Sequence, residues 1–145
     1  MKKISAAAVA LVILFYITSQ PKIFIGTENQ TVAVVDAEEN LPLTINFIHS
    51  VQKTPVIEEL EYQAGEFVLR RTIYQSQGVG LPFDATDGKF HREGDKFIFD
   101  DMNRRFKNLE LRTGKGTQLK IILNGKTFEL YKKFPLGTKI IVKRF

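Results

Sequence analysis

Beyond residue 21 no stretch of this chain sustains a 3.6-residue hydrophobic period, which removes most helical architectures. Apolar residues alternate with polar ones in short runs separated by turn-forming residues. Ten windows fit: Lys22–Gly26, Thr31–Asp36, Leu43–Val51, Val56–Tyr62, Phe67–Gln75, Lys96–Asp100, Asn108–Arg112, Gln118–Leu123, Thr127–Lys132 and Thr138–Lys143. This spacing predicts an all-β domain, an antiparallel β-sandwich or barrel of about ten short strands, preceded by one N-terminal hydrophobic helix. No repeat, linker or low-complexity tract divides residues 22–145, so they read as one domain. A domain of about 125 residues buries roughly two-thirds of its unfolded surface and needs no staples.

The chain has no cysteine. Disulfides, thiolate metal sites, a cysteine nucleophile and acylation as a lipoprotein are thereby excluded.

Residues 1–21 read as an address. Met1-Lys2-Lys3 is a basic start, and Ile4–Ile17 follows with Ser5 as its single polar residue. Thr18-Ser19-Gln20-Pro21-Lys22 is a polar break. The lysines stay in the cytoplasm, which puts the remainder on the extracytoplasmic side of a cell membrane. A fourteen-residue helix spans ~21 Å, short of the ~30 Å hydrocarbon core, as in a signal peptide. Against cleavage, no A-x-A site is present; the best option follows Ser19, with Ile17 where a small residue is preferred. The segment is a single-pass signal-anchor or a signal peptide removed on secretion.

Pairing rules give two candidate registers. Asn124-Gly125 is a strong two-residue turn, setting Leu123 opposite Lys126, Ile121 opposite Phe128, Leu119 opposite Leu130 and Lys120 opposite Glu129. Upstream, a hairpin over Gln52–Pro55 sets Ile45 opposite Tyr62, Phe47 opposite Leu60 and His49 opposite Glu58. A second hairpin over Gln63–Glu66 sets Tyr62 opposite Phe67, Leu60 opposite Leu69, Glu58 opposite Arg71 and Val56 opposite Ile73. Side-chain alternation then places His49, Glu58 and Arg71 in one row on an otherwise apolar face. An unpaired carboxylate there is costly, and a neighbouring cation offsets the cost. The row is either a structural network or a ligand or partner site at the rim of the core. Ser50 follows His49 directly and points to the opposite face, so the two form no nucleophile–base couple.

Other chemistry is weaker. His91 sits in a polar segment, Lys89–Asp95, and reads as solvated. Asp84, Asp87, Glu93, Asp95, Asp100 and Asp101 form an acidic region with Asp87-Gly88 as a turn, but without the spacing of a calcium loop. Gly78-Val79-Gly80-Leu81-Pro82 lacks the third glycine and the Lys-Ser/Thr of a phosphate loop and reads as a backbone bend. No catalytic residue, metal site or cofactor is expected.

Charge is uneven. Residues 21–101 hold seven basic and fourteen acidic residues, a net −7, whereas residues 102–145 hold twelve and two, a net +10. The basic strands either pack beside the acidic ones, face an anionic membrane surface, or bind an acidic partner or ligand. Nucleic acid is not expected, because the aromatic-studded RNA-binding signatures are absent.

Two stretches carry a family resemblance. Phe47-Ile48-His49-Ser50-Val51 is followed by Thr54-Pro55-Val56 and Glu58, and Tyr74-Gln75-Ser76 by Gly78-Val79-Gly80-Leu81-Pro82. Together, over about Ile45 to Pro82, they resemble the bacterial domain-of-unknown-function family number 1850. His49, Ser50, Pro55, Glu58, Gly78, Gly80, Leu81 and Pro82 match its motif, while Val79 stands where a smaller residue is expected. The resemblance implies a short exported or membrane-anchored protein without enzymatic activity, a partner of TAXI-type TRAP transporters. These import small organic anions with a membrane permease and an external binding protein. The expected function is a membrane-tethered accessory domain whose contacts are His49, Ser50, Glu58 and the Gly78–Pro82 loop. Its partners would be membrane lipid, through the N-terminal segment, and a transporter permease or solute-binding protein. The alternative is a small organic-anion binding domain using Arg71 and the basic C-terminal strands.

Overall fold

The computed structural model describes residues 6–78, 81–82, 84 and 88–145. The alternating segments form antiparallel strands, and their apolar faces meet in one core. A helix, α1 (Ala6–Thr18), precedes β1 (Lys22–Gly26), β2 (Thr31–Asp36), β3 (Leu41–Ile48), β4 (Pro55–Gln63), β5 (Glu66–Tyr74), β6 (Lys89–Glu93), β7 (Lys96–Asp100), β8 (Arg104–Phe106) and β9 (Asn108–Arg112). Then come β10 (Lys120–Leu123), β11 (Lys126–Glu129), the single helical turn α2 (Leu130–Lys133) and β12 (Lys139–Arg144). The small sheet has the order β2-β1-β12-β9; the large one runs β11-β10-β3-β4-β5-β7-β6, with β8 also on β5. Neither closes into a barrel.

Ile23, Ile25, Leu109, Ile140 and Val142 of the small sheet share the core with Leu43, Ile45, Leu60, Phe67, Leu69, Ile121 and Leu123 of the large one. The Asn124-Gly125 hairpin forms in the predicted register, with Ile121 opposite Phe128 and Lys120 opposite Glu129. The eleventh strand stops at Glu129, because Leu130 and Tyr131 both donate their N–H to the Leu119 carbonyl and start a helical turn. Strands β6 and β8 were not predicted. His91 accordingly lies in a strand, with its side chain solvated as expected, Nε2 3.3 Å from Glu93 and Nδ1 3.4 Å from Asp100.

Both central registers depart from expectation. The β3–β4 loop is Ser50–Lys53, flanked by the His49 N–H donating to the Thr54 carbonyl at 2.9 Å. It lies two residues upstream of the predicted loop, so the strands slip by four: Ile45 faces Glu58, Phe47 faces Val56 and Leu43 faces Leu60. An even slip preserves the faces, and the same residues still point inward. The β4–β5 hairpin begins as predicted, with Tyr62 opposite Phe67 and Leu60 opposite Leu69. A bulge next to Leu60 then sets Arg71 opposite Glu59 and Thr72 opposite Glu58.

In α1, every side chain from Leu11 to Tyr16 is more than half exposed. Among the described residues no helix is long and apolar enough to cross a membrane.

Candidate functional site

Where β3 and β4 of the large sheet meet β9 of the small one, a cavity of about 400 Å³ opens. Ile45 and Phe47 of β3, Leu81, Leu111 of β9 and Leu119 supply its apolar wall. Glu58 projects into that wall because it alternates with Val56 and Leu60 on the inward face of β4. Glu110 and Arg112 come to the cavity from β9, and Thr117 from the loop before β10.

Burial holds the Glu58 carboxyl above the ordinary glutamate range, and the positive charge of Arg104 partly offsets this. Among the described residues no side chain hydrogen-bonds or ion-pairs with Glu58. The other two charges of the lining are engaged: Lys139 Nζ lies 2.8 Å from Glu110, and Arg112 donates to the Gly137 carbonyl at 3.0 Å.

His49 also lines the cavity but is spent largely on its own turn. Its Nδ1 accepts the N–H groups of Val51 at 3.3 Å and Gln52 at 3.1 Å, which fixes the proton on Nε2. The imidazole is buried, and a Cβ added at Gly78 would lie 2.7–2.8 Å from its Cε1 and Nε2. Glycine therefore lets the second motif close on the first. Leu81 N–H donates back to the Gly78 carbonyl, and Tyr74 Oη donates to the Pro82 carbonyl at 2.7 Å, pinning the segment against the core. Ser50 reaches the rim of the cavity from an exposed turn position, not from a strand facing away.

The cavity thus gathers His49, Ser50, Glu58 and Leu81, with Gly78 packed on the imidazole. Pro82 is held nearby by Tyr74, and Gly80 lies outside the described residues. The direct His49–Glu58 pairing is replaced by Glu58 opposite Ile45, as the slipped loop requires. Arg71 does not join them. Strict alternation would bury one of two consecutive arginines, and the bulge instead turns both outward. Arg70 reaches Glu61 at 3.1 Å, and Arg71 reaches Asp100 at 2.6 Å and Glu59 at 3.9 Å.

Sequence reasoning missed Leu111, Arg112, Thr117 and Leu119, which the crossing of the two sheets brings to the site. Their alternating polarity gave the strand but not the neighbour. Among the ion pairs, Arg105 with Glu66 at 3.6 Å joins the basic C-terminal part to the acidic part, while those of Arg71, Lys132 and Lys139 stay within one part.

The comparison with curated proteins gave no significant match, and neither did that with solved structures. A family model does match, over residues 43–130, from β3 to the start of α2, and so includes every residue of the cavity wall. The chain belongs to the family described as Domain of unknown function (DUF1850).

Proposed function

We propose that this is a non-enzymatic binding domain, tethered to a membrane through α1 on the extracytoplasmic side, that serves a TAXI-type TRAP uptake transporter as an accessory partner. The observation that carries the binding reading is the cavity of about 400 Å³, a size suited to a small ligand or an inserted side chain. Its apolar wall also carries polar groups, and among the described residues Glu58 is the carboxylate of the lining without a hydrogen-bond or ion-pair partner. General acid–base chemistry needs two groups within reach of one substrate, and His49 Nδ1 is already occupied by two backbone donors. The apolar, exposed side chains of α1 support the tether, and the transporter rests on what the resemblance of the His49–Glu58 and Gly78–Pro82 motifs implies, not on the family match itself.

The organic-anion alternative loses its main cation, because Arg71 is engaged by Asp100 on the outer face of the large sheet. A gentle-detergent pull-down of the tagged full-length chain from its native membranes tests the leading reading. Co-recovery of a multi-spanning permease or its solute-binding protein, weakened by Glu58→Gln without loss of thermal stability, is expected. A partner-free chain would overturn it.

A further inference from the structure

We infer that the cavity between β3, β4 and β9 takes an alkylammonium group, with the apolar stem against Phe47, Leu111 and Leu119 and the cation on Glu58. This rests on reading the cavity as the binding site and adds the chemistry of what enters it.

The charges decide the sign. Glu58 is the carboxylate in the wall with no hydrogen-bond or ion-pair partner among the described residues. Glu110 is held by Lys139, and Arg112, whose guanidinium stays cationic while donating to the Gly137 carbonyl, is not the charge that acts on the Glu58 carboxyl; that charge is Arg104. Arg104 contributes at longer range, but its guanidinium sits over the Phe106 ring at 5.8 Å, and Arg104 does not line the cavity. His49 presents Nε2 toward Gly78 and uses Nδ1 within its own turn. An anion entering here would meet a second negative charge inside an apolar wall. A protonated amine would supply the compensation that a buried carboxylate lacks, and its stem would displace water from the apolar surface. Burial already holds the Glu58 carboxyl above its ordinary range, and a bound cation would draw it back down.

The amine could be a free small molecule or a lysine of the partner; both offer the same group to Glu58. The test uses the full-length chain in nanodiscs and follows the ¹³C shift of the Glu58 side-chain carboxyl, which nonspecific partition of amines into lipid would not move. Hexylammonium and 2-phenylethylammonium should lower the apparent pKa of Glu58 saturably. Hexanol and hexanoate should leave it in place. Amine binding, measured by ligand-observed NMR, should fall at least tenfold in Glu58→Gln and stay within twofold in Arg71→Gln, whose side chain is on the other face. No response to either amine, or a stronger response to hexanoate, overturns the inference, and the pull-down can still succeed in that case. If the amines also release a co-purified partner, the group comes from that partner's lysine; if they bind without releasing it, the ligand is a free amine.

Discussion

Glu58 and His49 share a cavity wall, yet their substitutions should behave oppositely. The folded pKa of Glu58 lies above its unfolded value, so ionisation penalises the folded state. Stability from this group is greatest at acidic pH, below the ordinary glutamate value, and falls as pH rises through the raised one. Glu58→Gln should therefore increase Tm at neutral pH and match the wild type near pH 4 on a thermal-denaturation series. A lower Tm for the glutamine variant at neutral pH would mean that the carboxylate has a stabilising partner. His49→Ala removes the acceptor of two turn N–H groups and a buried ring. At about 1 kcal/mol per hydrogen bond plus a residual void, it should cost about 2–4 kcal/mol in urea denaturation. Gly78→Ala forces a methyl into the imidazole and should cost about 1–3 kcal/mol. A neutral result at Gly78 would show that the imidazole swings aside without loss.

Among elements, local turn chemistry was legible and long-range placement was not. Asn124 (φ 48°) and Gly125 (φ 72°) both adopt the left-handed conformation that the paired dipeptide announced. Gly125→Val should cost about 1–2 kcal/mol, and a smaller loss on chemical denaturation would mean that the hairpin tolerates another turn. The β3–β4 loop misled because its signal is a side chain: His49 Nδ1 gathers the following N–H groups and turns the chain before Gln52. Face assignment survived since the slip is even, so Ile45, Phe47, Glu58 and Leu60 were correctly grouped. The bulge was not legible because alternation assumes one residue opposite one residue. Two consecutive arginines beside Glu59 and Glu61 were the clue, since burying either is costlier than breaking one rung of the ladder. Arg71→Ala should accordingly cost under about 1 kcal/mol, the worth of an exposed pair, and leave cavity binding intact. Loss of binding in that variant would restore Arg71 to the site.

At the scale of the molecule, the cavity opens where the eight-stranded sheet crosses the edge of the four-stranded one, while α1 leads into β1 of the small sheet. The C-terminal strand β12 pairs with β1, so Phe145 exchanges backbone hydrogen bonds with Lys22, just after the end of α1. A chain held by α1 is thus held through the small sheet, and the β3–β4 loop that borders the cavity belongs to the other sheet. On the proposed reading the tether would leave from β1, while the cavity lies between β3, β4 and the far edge strand β9, so the two would use separate surfaces. The absence of cysteine makes the sidedness directly measurable. Lys115, exposed in the loop between β9 and β10, can be changed to cysteine as the sole thiol of the chain. In intact cells a membrane-impermeant maleimide should label Lys115→Cys, and lysis should add little further labelling. Labelling confined to lysed cells would place the domain in the cytoplasm and remove both the tether orientation and the uptake-transporter reading, while leaving the amine chemistry of the cavity to be judged on its own measurement.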